Sequence, residues 1–106
     1  MSAKGITIQP PVNIWPSLQI EPFLSYLTIE CGLSKNTTQA YRRDLLKFAT
    51  YCHQQKLTDP DKITPRFLQN FAKSLFELKL ATASIARHIS SMKMFLRYHQ
   101  LFNLVN

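Results

Sequence analysis

Residues 33–48 have the sequence LSKNTTQAYRRDLLKF, which predicts a loop, a capped helix start and a helix with two different faces. Apolar residues recur here at spacings of four, three and four, which places them on one side of the helix; they are Tyr41, Leu45, Phe48 and Cys52. The other side holds Thr38, Arg42 and Arg43, with Lys35 and Lys47 before and after them. We therefore expect one face to pack in a core and the other to offer cations to an anion.

The composition limits the size of the domain and indicates the kind of partner that it binds. A chain of 106 residues fits one small domain, and thirteen Lys and Arg against six Asp and Glu give a formal net charge of +7. This excess indicates an anionic partner, nucleic acid first and an acidic membrane surface second. A basic domain without such a partner stays open as the alternative. Since no signal peptide and no apolar run of roughly 18 residues is present, we expect a soluble cytoplasmic protein.

The pattern along the chain predicts an all-α fold of four helices with short links and no strand. The predicted helices span about 17–31, 34–55, 65–79 and 83–99, and residues 101–106 form a tail. Residues 1–16 contain three prolines and no helical period, which predicts an extended or mobile N-terminal arm before a domain of residues 17–106. Ile14 and Trp15 would pin the end of that arm to the domain.

Start and stop signals mark the helix ends. The first helix begins at Ser17–Glu21 or, more simply, with Pro22 at its first position, and Gly32 ends it. Ser34 or Asn36 caps the second helix. Further caps are predicted at Thr64, which is followed by Pro65, and at Thr82.

Metal and catalytic constellations are missing from the sequence. Two cysteines, Cys31 and Cys52, lie at apolar positions and are predicted to be buried free thiols, so neither a disulfide scaffold nor a zinc site is expected. The three histidines are far apart in sequence, and two glycines do not form a phosphate loop. Tyr41 is predicted to be a core residue, and Asp44 an intrahelical partner of the neighbouring arginines. We expect no cofactor and no catalysis by this chain.

The basic excess lies mainly on the second and fourth helices. Residues 34–58 hold five bases against one acid, and residues 82–106 hold three bases and no acid. A polar stripe at spacings of three to four follows the fourth helix and consists of Ser84, Arg87, His88 and Ser91. Such groups on exposed helix faces suit phosphate contacts and base-edge recognition in a major groove. A merely solvated face remains the alternative for either helix alone.

Two motifs resemble a known family. The patterns FLxYL at residues 23–27 and ExGLSxNTxxAYRRDLxxF at residues 30–48 resemble the N-terminal core-binding domain of tyrosine recombinases, the phage integrases and Xer-type recombinases. The fourth helix agrees, since SIARxIS at residues 84–90 leads to FxxY at residues 95–98. The resemblance covers about residues 20–106.

The resemblance implies a SAM-like orthogonal four-helix bundle that forms one jaw of a clamp around duplex DNA at a recombination half-site. In that family the second and fourth helices approach the major groove, and the first contacts neighbouring protomers on DNA. The catalytic tyrosine belongs to a second domain, C-terminal to this one, so the present chain is expected to bind double-stranded DNA without cutting it. The isolated domain is expected to be monomeric, with no membrane partner.

These considerations give a predicted DNA-binding set on two helices. The second helix contributes Lys35, Asn36, Thr37, Thr38, Arg42 and Arg43; the fourth contributes Thr82, Ser84, Arg87, His88 and Ser91; and Lys47, Lys93 and Arg97 are predicted phosphate contacts at the margins. For Asn36 and Thr37 a purely structural capping role stays open. The alternative function is a helical protein–protein interaction module with an apolar surface at Phe76, Leu80, Leu101 or Phe102.

Overall fold

The domain consists of four α-helices joined by short links, as predicted. The structure, a computed structural model, describes the backbone of residues 14–103 and the side chains of residues 14–101. The helices are α1 (Ser17–Ile29), α2 (Lys35–Gln54), α3 (Pro65–Glu77) and α4 (Thr82–Asn103), with a single 3₁₀ turn at Pro60–Lys62 before α3. Most of the predicted arm and the end of the predicted tail lie outside the described residues.

The start of α2 follows from its sequence. Ser34 is the cap: its backbone is extended, and its hydroxyl oxygen accepts a hydrogen bond of 3.2 Å from the Thr37 N–H. Asn36, the other predicted cap, already lies inside the first turn. Gly32 has a φ of +69°, so it makes the left-handed turn between α1 and α2 that was expected of it.

The start of α1 was predicted in two ways, and the earlier one is correct. The helix begins at Ser17, which puts Pro22 inside it. The preceding turn supplies acceptors, since the Ile14 carbonyl accepts from Leu18 N–H at 2.9 Å. Pro22 removes only the donor that would reach back to Leu18, and its ring is exposed, so the helix continues through it.

The core lies between the helices and is rich in aromatic rings. Trp15, at the end of the predicted arm, is buried; its ring stacks on Phe95 at 5.9 Å and meets Phe48 edge-on at 6.1 Å. The apolar stripe of α2 is confirmed, because Leu45, Phe48 and Cys52 are buried and Tyr41 packs against them. The α3 helix joins this core through Phe71, whose ring lies 5.2 Å from that of Phe48.

Three predictions about helix ends are wrong. Cys31 is exposed instead of buried, because α1 ends at Ile29 and the chain has already left the helix there. The third helix was predicted to reach residue 79, but α3 ends at Glu77, so that Leu78 lies beyond it and is 59% exposed. The fourth helix starts at Thr82 and continues to Asn103, so residues 101–103 belong to a helix and not to a tail.

Candidate nucleic-acid interface

The outer face of α2 carries exposed cations. Asn36, Arg43 and Lys47 are spaced seven and four residues apart, which puts them on the same side of the helix, and all three are exposed. Lys35, in the first turn, is exposed as well. The only acid in this helix, Asp44, is buried, so no carboxylate of α2 itself offsets that charge at the surface.

Arg42 lies in a different environment from its neighbour Arg43. Its guanidinium donates two hydrogen bonds to the Glu21 carboxylate of α1, from Nε at 2.7 Å and from Nη2 at 2.8 Å. These hydrogen bonds lower the pKa of Glu21 and raise the pKa of Arg42. Because the pair is solvent-exposed on both sides, it contributes little to stability, but it directs Arg42 toward α1.

The two threonines at the start of α2 have structural contacts. Thr38 is buried, and its hydroxyl donates to the Lys35 carbonyl at 3.0 Å. Thr37 is half-buried and accepts a hydrogen bond from the Ser34 hydroxyl at 3.0 Å. Both side chains therefore serve the first turn of the helix.

A buried acid joins α2 to α4. The Asp44 carboxylate, 2% exposed, accepts hydrogen bonds from Arg87 Nε and Nη2, each at 2.9 Å. The prediction that Asp44 pairs within its own helix is wrong, because it turns inward toward α4 and away from Arg42 and Arg43. These hydrogen bonds raise the pKa of Arg87, whose side chain remains 41% exposed.

His88 and Ser91 belong to the same buried cluster. Ser91 donates to Asp44 Oδ2 at 3.2 Å, and His88 Nε2 lies 3.3 Å from Asp44 Oδ1. The other ring nitrogen of His88, Nδ1, lies 2.6 Å from the Ser84 carbonyl oxygen. The predicted polar stripe is therefore not an exposed face: this side of α4 packs on α2, and only Arg87 and half-buried Ser84 reach the surface.

The remaining predicted residues of α4 are exposed. Thr82 lies at the start of the helix, next to the end of α3. Lys93 and Arg97 lie about 120° and 80° around the helix from Arg87 and border a shallow groove of about 510 Å³ with Leu96 and Leu101. They form a second basic patch, separate from the side on which Arg87 meets α2.

A wider groove of about 680 Å³ separates α2 from α3. Arg43 and Lys47 stand on its α2 side, Glu77 on its α3 side, and Tyr51 and Leu75 contribute to its lining. Two exposed apolar side chains lie at the same end of α3: Phe76, 61% exposed, and Leu78. The cationic side of this groove continues the outer face of α2.

The part of the chain that the structure describes contains neither a metal site nor a membrane-spanning helix. No three His, Cys, Asp or Glu side chains within it lie together as a metal site would require. None of its helices has the length and apolarity needed to cross a membrane.

The buried cluster around Asp44 was not predicted from the sequence, although the position of Asp44 gives a signal for it. Asp44 lies three residues after Tyr41 and four before Phe48, so it falls on the apolar stripe. An acid at such a position needs a buried partner. The nearby arginines in sequence suggested a local partner, whereas the actual one comes from another helix.

Comparison with known proteins gives concordant matches. Residues 20–100 match the family described as "Phage integrase, N-terminal SAM-like domain". The chain is similar to the tyrosine recombinase XerD of Staphylococcus haemolyticus, with 42% identity over 76 residues, 72% of this chain and 26% of that protein. It is also similar to the tyrosine recombinase XerC of Herpetosiphon aurantiacus, with 38% identity over 82 residues, 77% of this chain and 27% of that protein.

The chain thus spans about a quarter of the length of the curated relatives it matches. No solved structure gives a significant match.

Proposed function

Because the chain belongs to the family of the phage integrase N-terminal SAM-like domain, we propose that it is the DNA-binding, core-binding domain of a site-specific tyrosine recombinase. In this role it clamps duplex DNA at a recombination half-site together with other parts of the protein. The relatives it matches are named tyrosine recombinases, which supports this assignment. The domain acts in the cytoplasm, and the chemistry of strand exchange lies outside this chain.

The observation that carries the proposal is the exposed basic face of α2, on which α2 itself places no surface acid. Arg43 and Lys47 are exposed on one side of the helix, and the only acid of α2 is buried against α4. Exposed cations on one helix face can contact backbone phosphates and give sequence-independent affinity. Asn36, on the same side, is suited to a base edge or a phosphate.

We propose a smaller contact set than the predicted one, based on which side chains are exposed. We assign the DNA face to the surface residues of α2 and of the start of α4, namely Lys35, Asn36, Arg43, Lys47, Thr82, Ser84 and Arg87. Lys93 and Arg97 serve as marginal phosphate contacts. Thr37, Thr38, His88 and Ser91 stabilise the fold, and Arg42 contributes less because Glu21 engages it.

We also propose that α1 contacts neighbouring protomers on DNA. Leu18 and Ile29 of α1 are exposed apolar side chains, and Ile29 is 75% exposed. These exposed apolar side chains are available for contact with a protein partner. Without DNA the domain is monomeric, since a net charge of +7 opposes self-association.

A salt titration with a duplex DNA oligonucleotide tests DNA binding. The logarithm of the affinity should fall linearly with the logarithm of the salt concentration, with a slope of roughly −5 if about six phosphates are contacted. The double variant Arg43→Gln/Lys47→Gln should reduce the slope by about two. Its matched control, Arg66→Gln/Lys73→Gln on the outer side of α3, loses the same charge and should bind more tightly than the α2 variant. A wild-type slope near zero would refute the proposal.

The second candidate function, a helical protein–protein interaction module, is favoured by the exposed apolar side chains Phe76, Leu78 and Leu101. Leu80, also predicted there, is half-buried, and the side chain of Phe102 lies outside the described residues. Sedimentation velocity distinguishes the two functions. A tight oligomer without affinity for DNA would support the interaction module, and a monomer that binds DNA would support the recombinase domain.

A further inference from the structure

The Asp44 carboxylate is surrounded by groups that all come from α4. Its Oδ2 accepts from Arg87 Nε at 2.9 Å and from Ser91 at 3.2 Å. Its Oδ1 accepts from Arg87 Nη2 at 2.9 Å and lies 3.3 Å from His88 Nε2. A carboxylate with both oxygens engaged in this way fixes the position and plane of its partner guanidinium.

The contact with Asp44 engages only some of the N–H donors of the Arg87 guanidinium. A guanidinium has five N–H donors, and Asp44 takes one on Nε and one on Nη2. The edge between Nη1 and Nη2 retains its donors, and the side chain is 41% exposed. A fork held on one edge and open on the other is suited to a phosphate oxygen pair, because its orientation is fixed before the anion arrives.

The residue that anchors Arg87, Asp44, lies next to the proposed DNA face on α2. Asp44 directly follows Arg43 on α2, and Lys47 is three residues further, on the side of the helix that leads from Asp44 to the surface. Arg87, which is bound to Asp44 and 41% exposed, therefore lies where α4 packs on this part of α2. Among the described residues near that face, Arg87 is the cation whose side chain is anchored by a buried group.

We propose, on the basis of the DNA-binding function above, that Asp44 is a positioning residue for DNA binding: it holds the Arg87 fork toward a backbone phosphate of the duplex and keeps α4 in register with α2. If Asp44 had only a structural role, or acted on DNA only through its charge, its replacement would strengthen DNA binding instead of weakening it. Removing a negative charge from a DNA-binding domain should tighten binding, because the domain becomes more positive.

The chain offers a matched control for the test. Glu21 also accepts two hydrogen bonds from an arginine, but its pair with Arg42 is exposed. Asp44→Asn and Glu21→Gln each raise the net charge of +7 by one. The affinity of the full chain for a duplex DNA oligonucleotide is measured over a salt series, at a temperature where denaturation curves show each variant folded.

We expect Asp44→Asn to bind about fivefold more weakly than Glu21→Gln, with a salt slope smaller by about one, because the Arg87 phosphate contact is lost. Arg87→Lys, which keeps the charge without the fork, should lose a similar factor. The double variant Asp44→Asn/Arg87→Lys should lose little more, since the two changes remove the same contact.

Two results would overturn the inference while leaving the proposed function intact: Asp44→Asn binding as tightly as Glu21→Gln, or Arg87→Lys binding like Arg42→Lys. The second comparison also decides the matter if Asp44→Asn does not fold, because both lysine variants keep the net charge. A wild-type chain without salt-dependent DNA affinity would refute the proposed function and this inference together.

Discussion

Asp44 and Arg87 are 43 positions apart in sequence, yet the Asp44 carboxylate accepts two hydrogen bonds of 2.9 Å from the Arg87 guanidinium. This contact ties the centre of α2 to the first half of α4, which are the two helices that carry the basic surface. Its acid is buried and its base is half-exposed, so the same pair belongs to the core on one side and to the surface on the other. The proposed DNA contact of Arg87 would therefore link DNA binding to stability at this point of the fold.

Removing the acid altogether should destabilise the domain. Asp44→Ala leaves Arg87, His88 and Ser91 without their common partner, and we expect a loss of about 3 kcal/mol in the free energy of unfolding. Glu21→Ala, which breaks the exposed pair with Arg42, should cost less than about 1 kcal/mol. Urea denaturation of both variants measures the difference. Equal losses would show that burial of Asp44 does not matter energetically.

Two residues at the start of α2 should differ in role: Ser34 in helix stability and Asn36 in DNA binding. Ser34→Ala removes the hydroxyl that accepts from the Thr37 N–H and should cost about 1 kcal/mol of stability. Asn36→Ala should leave stability within about 0.5 kcal/mol, because Asn36 is exposed, but it should weaken DNA binding. Thermal denaturation and DNA titration of the two variants check both effects. A large stability loss in Asn36→Ala would move that residue to a structural role.

Adjacent arginines should differ in their contribution to DNA binding. Arg43 is exposed on the outer face, so Arg43→Ala should reduce the salt slope by about 0.9. Arg42 already donates two hydrogen bonds to Glu21, so Arg42→Ala should reduce it by less. Both variants lose one positive charge, which makes each the control of the other. Identical slopes would show that binding responds only to net charge.

The sequence predicted the fold well and the site in part, for a physical reason. Helix periodicity is local, so the stripe from Tyr41 to Cys52 and the cap at Thr64 could be recognised from spacing alone. Pairing between helices is not local, and nothing in the spacing connects Asp44 to Arg87. The same limit explains why His88 and Ser91, polar residues at regular spacing, were predicted to be exposed although they are buried against α2. Trp15 was predicted to pin the arm to the domain, and its ring is buried against Phe48 and Phe95; its exact neighbours could not be predicted, because it lies outside any periodic segment.

The two cysteines should differ in reactivity, and the difference gives a test of the core. Burial raises the pKa of Cys52 to about 12, whereas Cys31 is exposed after the end of α1. A thiol reagent at pH 8 should therefore label Cys31 in the native domain and Cys52 only after denaturation. Cys31→Ser is the control, since it should show no native labelling.

Because the folded-state pKa of Cys52 is raised from a usual value near 9.0, its contribution to stability should be complete below about pH 9 and should decline as pH rises toward about 12. Comparing denaturation midpoints of Cys31→Ser and Cys31→Ser/Cys52→Ala across that interval isolates the contribution from those of lysine and tyrosine. The variant that keeps Cys52 should lose more stability as pH rises. Parallel pH profiles, or rapid native labelling of Cys52, would mean that the C-terminal end of α2 is open to solvent and that the burial of Cys52 in the core is wrong.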